Sequence, residues 1–208
     1  MGQCQCEIRH RYERMCKKAG FNLKNAPTLD DYKVLDEITG NAKMQAEEYI
    51  KNFDTIRKQK QNWFFLCGQS GAGKTMLGRA IVKALIERTK FIGARAVKYY
   101  EMMQTLKAKS NDENYKNILD PFVTCELLFI DDLLKEKAVQ GVLTEADTKH
   151  LFAVLDKRYD AYLPTVISTE CTGQRLDELD EAMHGRIIER SFAKIIFEGN
   201  ERNYRKRK

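Results

Sequence analysis

The spacing of hydrophobic positions changes several times along the chain, and each change predicts an element. From Cys6 to Ala19 the residues Ile8, Tyr12, Met15, Cys16 and Ala19 recur every three or four positions. Arg9, Arg11, Arg14, Lys17 and Lys18 surround them and Gly20 follows as a C′ residue, so this stretch reads as a basic amphipathic helix. Residues 21–40, with Pro27, Asp30, Asp31 and Gly40, hold no period and read as a connecting segment. A second helix is predicted over 41–53, with Ala42, Ala46, Tyr49, Ile50 and Phe53 on one side. After "RKQKQN" the pattern becomes continuous: Trp63 to Cys67 is wholly apolar, as in a strand buried on both faces. Gly68 to Gly73 interrupts it, and Leu77, Ala80, Ile81, Ala84 and Leu85 then share one face of a helix.

Further along, a strand near Ala94–Tyr99 leads into a helix around Tyr100–Lys109, and the polar "KSNDENYKN" predicts a surface loop. Leu127 to Ile130 forms the next apolar run and ends in Asp131 and Asp132. Thr144 is placed to cap a helix that carries Leu151, Leu155 and Tyr159 to about Tyr162. "PTVIST" supplies a strand, "RLDELDEAMHGRIIERS" a helical region, and "AKIIFEG" a last strand. Strands alternating with helices predict an α/β fold, with five parallel strands covered on both faces and joined by right-handed crossovers.

A chain of 208 residues, 43% hydrophobic and 32% charged, accommodates one α/β domain with a small appendage. No window approaches the ~18 apolar residues of a membrane span, which predicts a soluble protein with no membrane partner. The net charge of +6 belongs to the ends: residues 1–20 contribute +3 and 201–208 contribute +4, leaving about −1 between them. Such basic ends read either as solvated tails or as contacts to a phosphate backbone. Of the six cysteines, Cys67 and Cys125 lie in apolar runs, which favours reduced thiols and a cytoplasmic setting. Cys4, Cys6 and Cys16 with His10 are the candidate ligands for a zinc ion.

The loop between the first central strand and its helix carries the chemistry. Gly68-x-x-x-x-Gly73-Lys74-Thr75 is a complete phosphate-binding loop in the context that such a loop requires. Gly68, Gln69, Ser70, Gly71, Ala72, Gly73, Lys74, Thr75 and Met76 are therefore the expected ATP-binding residues. Backbone N–H groups and a helix N-terminus face the phosphates, Lys74 reaches the β- and γ-phosphates, and Thr75 ligates Mg²⁺. "LLFIDD" fits the second half of such a site: a strand ending at Asp131 puts a carboxylate beside the loop to hold Mg²⁺, and Asp132 can orient the attacking water. As Asp132 is shorter than a glutamate, slow hydrolysis is expected. Ser168, Thr169 and Glu170, the polar end of "PTVISTE", are expected to emerge near the γ-phosphate, where a polar side chain can sense it or position water; Thr169 and Glu170 are the candidates for that role. Arg186 and Arg190 lie four residues apart on one helical face, either as arginine fingers for a neighbouring ATP site or as surface charges.

In combination, "GQSGAGKT", "LLFIDDL", "RYDAYLPTVIST", "LDELDEAMHGRIIERS" and the late "NYR" resemble the AAA+ ATPases of the DnaC/DnaI helicase-loader and IstB group, including phage-encoded members. The likeness covers roughly Cys6 to Arg205. It implies a P-loop NTPase core at 56–208, preceded by a helical extension and linker at 1–55 that docks the helicase. It also implies a weak ATPase that helps place the replicative hexameric helicase on single-stranded DNA during replication initiation, self-associating with ATP. Carried over residue by residue, Lys74 and Thr75 bind phosphate and Mg²⁺, Asp131 binds Mg²⁺, Asp132 supports hydrolysis, and Arg190, with Arg186 second, is the finger. Only "NERNYRKRK" follows Gly199, so a core without a C-terminal lid is expected, its site completed by a neighbour. An IstB-like transposition helper and a non-hydrolysing ATP-binding adapter share these motifs. A small-molecule phosphotransferase would instead want an acceptor pocket and an Arg-rich closing segment.

Overall fold

The computed structural model describes residue 20 and residues 25–88 and 93–198. The basic helix expected over 6–19, the Cys4/Cys6/Cys16/His10 zinc candidate and the "NYRKRK" ending lie outside these residues. In chain order the elements are α1 (Glu37–Lys51), α2 (Phe53–Ile56), β1 (Trp63–Gly68), α3 (Lys74–Arg88), β2 (Ala94–Lys98), α4 (Tyr99–Ala108), α5 (Tyr115–Val123), β3 (Leu127–Leu133), α6 (Glu145–Asp160), β4 (Thr165–Thr169), α7 (Gly173–Arg190) and β5 (Ser191–Phe197).

The five strands form one sheet in the order β2-β3-β4-β1-β5, and every described pairing is parallel. Burial follows position. Central β1 and β4 are buried at every residue, whereas edge strand β5 alternates buried with partly or fully exposed positions. Successive side chains of a strand point to opposite faces, so β1 feeds two cores. Phe64 and Leu66 join Leu77, Ile81, Phe129 and Val166 on one face. Trp63, Phe65 and Cys67 join Leu128, Ile130, Ile167, Leu151 and Ile187 on the other.

Residues 32–56 belong to the first of these cores. Tyr32, Ala42, Ala46, Tyr49 and Phe53 are buried with Phe64, Ala193 and Ile195, and the Tyr49 hydroxyl donates to Asn62 O at 2.7 Å. Helix α1 starts where Asp36 and Thr39 close a capping box, each side chain accepting the other's backbone N–H at 2.9 Å. At the amino-terminal edge of the sheet the buried Arg158 guanidinium donates to the carbonyls of Phe122, Cys125 and Pro164, tying the starts of β3 and β4 to the end of α5.

Three local expectations change: α1 begins at Glu37, inside the stretch read as a connecting segment. The stretch read as a loop through Asn117 ends in a helix, since α5 begins at Tyr115. Leu119, Phe122 and Val123 give it a buried face, but nine residues with Pro121 inside are too few for periodicity to declare. "RLDELDEAMHGRIIERS" is broken at Asp180, whose φ of −168° and ψ of 100° leave the helical region. Its carboxylate accepts the Met183 N–H at 2.8 Å and so caps the following segment.

Candidate functional site

The expected phosphate loop, residues 68–76, joins β1 to α3 at the carboxyl edge of the sheet. Gly68 has a φ of +122°, and a Cβ there would stand 2.3 Å from Phe197 O, so only glycine fits against β5. Gln69 N–H donates to the same carbonyl at 3.2 Å. Ala72 is fully buried, and Met76 packs against the α1–α3 core. Lys74 is 5% exposed, and its Nζ donates to Gly68 O and Gln69 O, each at 2.6 Å. Burial pulls the Lys74 pKa below its ordinary value, against the opposing charges of Glu170 and Asp132.

Thr75, in the first turn of α3, meets β3. Its Oγ1 donates to Asp131 Oδ1 at 2.8 Å, and Ser168 Oγ donates to the same oxygen at 2.6 Å. The Asp132 N–H in turn donates to Ser168 Oγ at 3.0 Å. A hydroxyl and a carboxylate so juxtaposed beside a phosphate loop are the hard oxygen donors that Mg²⁺ takes from protein, with phosphates and water supplying the rest. Among the described residues no group of three or more His, Cys, Asp or Glu could hold a metal by itself. Thr75 and Asp131 therefore fit Mg²⁺ held jointly with a nucleotide.

The pairing of β3 with β4 shifts register between Ile130 and Leu133. There Asp132 takes a φ of +58° and Leu134 one of +53°. Aspartate tolerates the left-handed region better than most residues. The bend brings Asp132, Lys135 and Glu170 to a cleft of about 320 Å³ also lined by Gly71, Gly73, Lys74 and Thr75. Lys135 Nζ lies 3.1 Å from Asp132 Oδ2 and 3.0 Å from Glu170 Oε1. For Glu170, burial works to raise the pKa, but hydrogen bonds from Lys135 and Ser70 outweigh it and hold the carboxyl below its usual range.

Two sequence expectations need correction. Thr169 does not face the cleft: its Oγ1 donates to Leu133 O at 2.7 Å and accepts the Cys171 N–H at 3.0 Å, fully buried. Strand alternation puts Ser168, one residue earlier, on the side of Asp131. Arg190 is not presented to a neighbouring molecule. It is 1% exposed, its guanidinium donates to Lys60 O at 2.7 Å and to Tyr159 O, and it lies over the rings of Tyr159 and Tyr162. Arg186 is partly exposed, but it too is engaged, 3.0 Å from Asp156 Oδ1 and over the Phe152 and Tyr159 rings. Lys135, which no motif marks, is the site residue missed; its place just after "LLFIDDL" is the signal that could have found it.

Comparison with known proteins bears on the family and the fold. The model of a family described as IstB-like ATP binding protein matches residues 6–208. The uncharacterized protein YqaM of Bacillus subtilis (strain 168) is 34% identical over 89% of this chain and 59% of its own. The phage-like element PBSX protein XkdC of the same organism is 31% identical over 69% of this chain and 53% of its own. The chain thus spans between half and three fifths of the length of these relatives. Among solved structures, DnaI superposes with a TM-score of 0.70 at 22% identity, covering 84% of this chain and 92% of that one. The DnaC helicase loader superposes with a TM-score of 0.71 at 19% identity, covering 85% and 98%. The fold is that of an AAA+ P-loop NTPase. No helix of the described residues is long and apolar enough to cross a membrane.

Proposed function

Since the chain belongs to the IstB-like ATP-binding protein family, we propose that it is an ATP-dependent loader that delivers a replicative hexameric DNA helicase onto single-stranded DNA in the cytoplasm during replication initiation. The observation that carries this reading is the Lys74–Thr75–Asp131–Ser168 constellation, set in a fold that superposes on the DnaC helicase loader over nearly all of that chain. Residues 1–55 serve docking and linkage to the helicase, and residues 56–208 are the ATP-binding core.

Loop N–H groups and Lys74 hold the phosphates. Thr75 and Asp131 would hold Mg²⁺, which would supply neutralisation of phosphate charge. Ser168 keeps the Asp131 carboxylate aimed at Thr75. Asp132 orients water for slow ATP hydrolysis that DNA or a partner stimulates, and Glu170 restrains Lys135 at the cleft. Arg186, partly exposed beside α6, is the residue left to reach a neighbouring subunit in an ATP-dependent self-assembly.

The test is size-exclusion chromatography of the chain with the host's replicative helicase, with and without ATP. Co-elution that Lys74→Ala abolishes supports the loader, while separate elution in both conditions refutes it. A transposition helper would carry the same ATP-binding core and is the second reading. That protein would retain duplex DNA and a transposase and leave the helicase unbound.

A further inference from the structure

Beyond the phosphate loop, the cleft contains a second lysine on a bent strand end. Lys135 is 44% exposed along its side chain, yet it reaches back to Asp132 and Glu170. Lys74, by contrast, is buried and anchored to the carbonyls of its own loop. Lys135 engages two carboxylates and an ammonium carries three donors, so the group has capacity for another acceptor.

The backbone that delivers Lys135 is unusual. Asp132 and the fully buried Leu134 both have left-handed φ angles, of +58° and +53°. Strain at a β-branched or bulky residue persists only where the surroundings enforce it, and it concentrates at sites that need a group aimed. An exposed ion pair needs no such bend, because surface pairs contribute little. Glu170 supplies the aim, since it pairs with Lys135 at 3.0 Å and lines the same cleft as Gly71, Gly73 and Lys74 of the phosphate loop.

We propose that Lys135 is a positioning cation for the terminal phosphate, and that the Asp132–Lys135–Glu170 cluster lets the site distinguish a nucleoside triphosphate from a diphosphate. The inference rests on the nucleotide reading above. Loop N–H groups and Lys74 serve phosphates that both nucleotides share. The extra charge of a triphosphate falls toward the mouth of the cleft, where Asp132 and Glu170 would repel it. Lys135 turns that repulsion into attraction, and on engaging phosphate it releases the Asp132 carboxylate to a water molecule. Reading the terminal phosphate is thereby coupled to arming hydrolysis.

The experiment is calorimetric titration of the full chain with ATP and with ADP, both with Mg²⁺, read as the ratio of the two dissociation constants. Lys135→Ala should cut the preference for ATP by about tenfold to a hundredfold, the worth of one charge-assisted hydrogen bond. ADP should still bind, and Lys135→Arg should restore most of the preference. An unchanged ratio in Lys135→Ala with ADP binding intact overturns the proposal. So does recovery of the ratio in a Lys135→Ala/Glu170→Gln double variant, because the lysine would then only mask a carboxylate. If the unaltered chain binds neither nucleotide, the nucleotide reading itself fails, and this inference falls with it.

Discussion

Replacing Arg190 by alanine distinguishes a buried strut from a catalytic finger. The side chain is 1% exposed. It donates to Lys60 O at 2.7 Å and to Tyr159 O, and its guanidinium carbon lies 3.8 Å from the Tyr162 ring centroid and 4.6 Å from that of Tyr159. Truncation deprives buried carbonyls of a charged donor, at about 1–3 kcal/mol. Losing the ring contacts adds roughly 1–2 kcal/mol in so desolvated a setting. Relief from burying a charge offsets part of this, leaving a net loss of about 3 kcal/mol. For a chain of this size 1 kcal/mol moves Tm by about 2–4 °C, so Tm should fall by roughly 6–12 °C. Arg186→Ala, which breaks a half-exposed pair with Asp156, should cost about 1 kcal/mol or less. Urea denaturation and scanning calorimetry of both variants measure the contrast. If Arg190→Ala melts like the unaltered chain but loses partner-stimulated ATP turnover, the side chain works outside its own subunit and the reasoning is wrong.

Other substitutions probe the site and its frame. Ser168→Ala should weaken Mg-ATP binding several-fold with little change in melting, whereas Thr169→Val should cost about 1–3 kcal/mol of stability through the buried Leu133 carbonyl and spare nucleotide affinity; titration and melting curves for both test the assignment. Gly78→Ala should destabilise by about 1–3 kcal/mol in urea, because a Cβ there would stand 2.4 Å from the Phe129 ring and push α3 off β3. For Asp147, burial works to raise the pKa, but the bonds from Lys107 and Thr144 prevail and lower it from 3.8 to about 2. A lowered carboxylate stabilises the fold above the unfolded-state pKa and loses that contribution as pH falls through the folded one. About 2 kcal/mol should therefore vanish between roughly pH 4 and pH 2, and denaturation curves of Asp147→Asn should lack that slope.

The parts of this protein legible in the linear pattern are those written in contiguous residues. A strand buried on both faces needs an unbroken apolar run, and Trp63–Cys67 and Leu127–Ile130 declare themselves that way. The phosphate loop is legible because glycines, a lysine and a threonine must follow one another for the backbone to wrap an anion, and Asp131 because it ends a buried strand. Short α5 and the break at Asp180 are not legible, since nine residues around a proline and a local cap leave no period to detect.

The remainder of the site is decided between segments far apart in the chain: Asp131 lies 56 residues from Thr75 and 37 from Ser168. Whether Ser168 or Thr169 faces Asp131 depends on the parity with which β4 pairs its neighbours, and a one-residue change exchanges the two faces. Charge alone made Arg190 look like a surface group, but enclosure by Tyr159, Tyr162 and the Lys60 carbonyl makes it internal. Lys135 enters the site only because two left-handed residues fold the end of β3 back over the cleft. Local order encodes which elements form and where phosphate binds. Packing selects which side chains meet there, because facing and burial belong to pairs of elements and not to any one stretch of sequence.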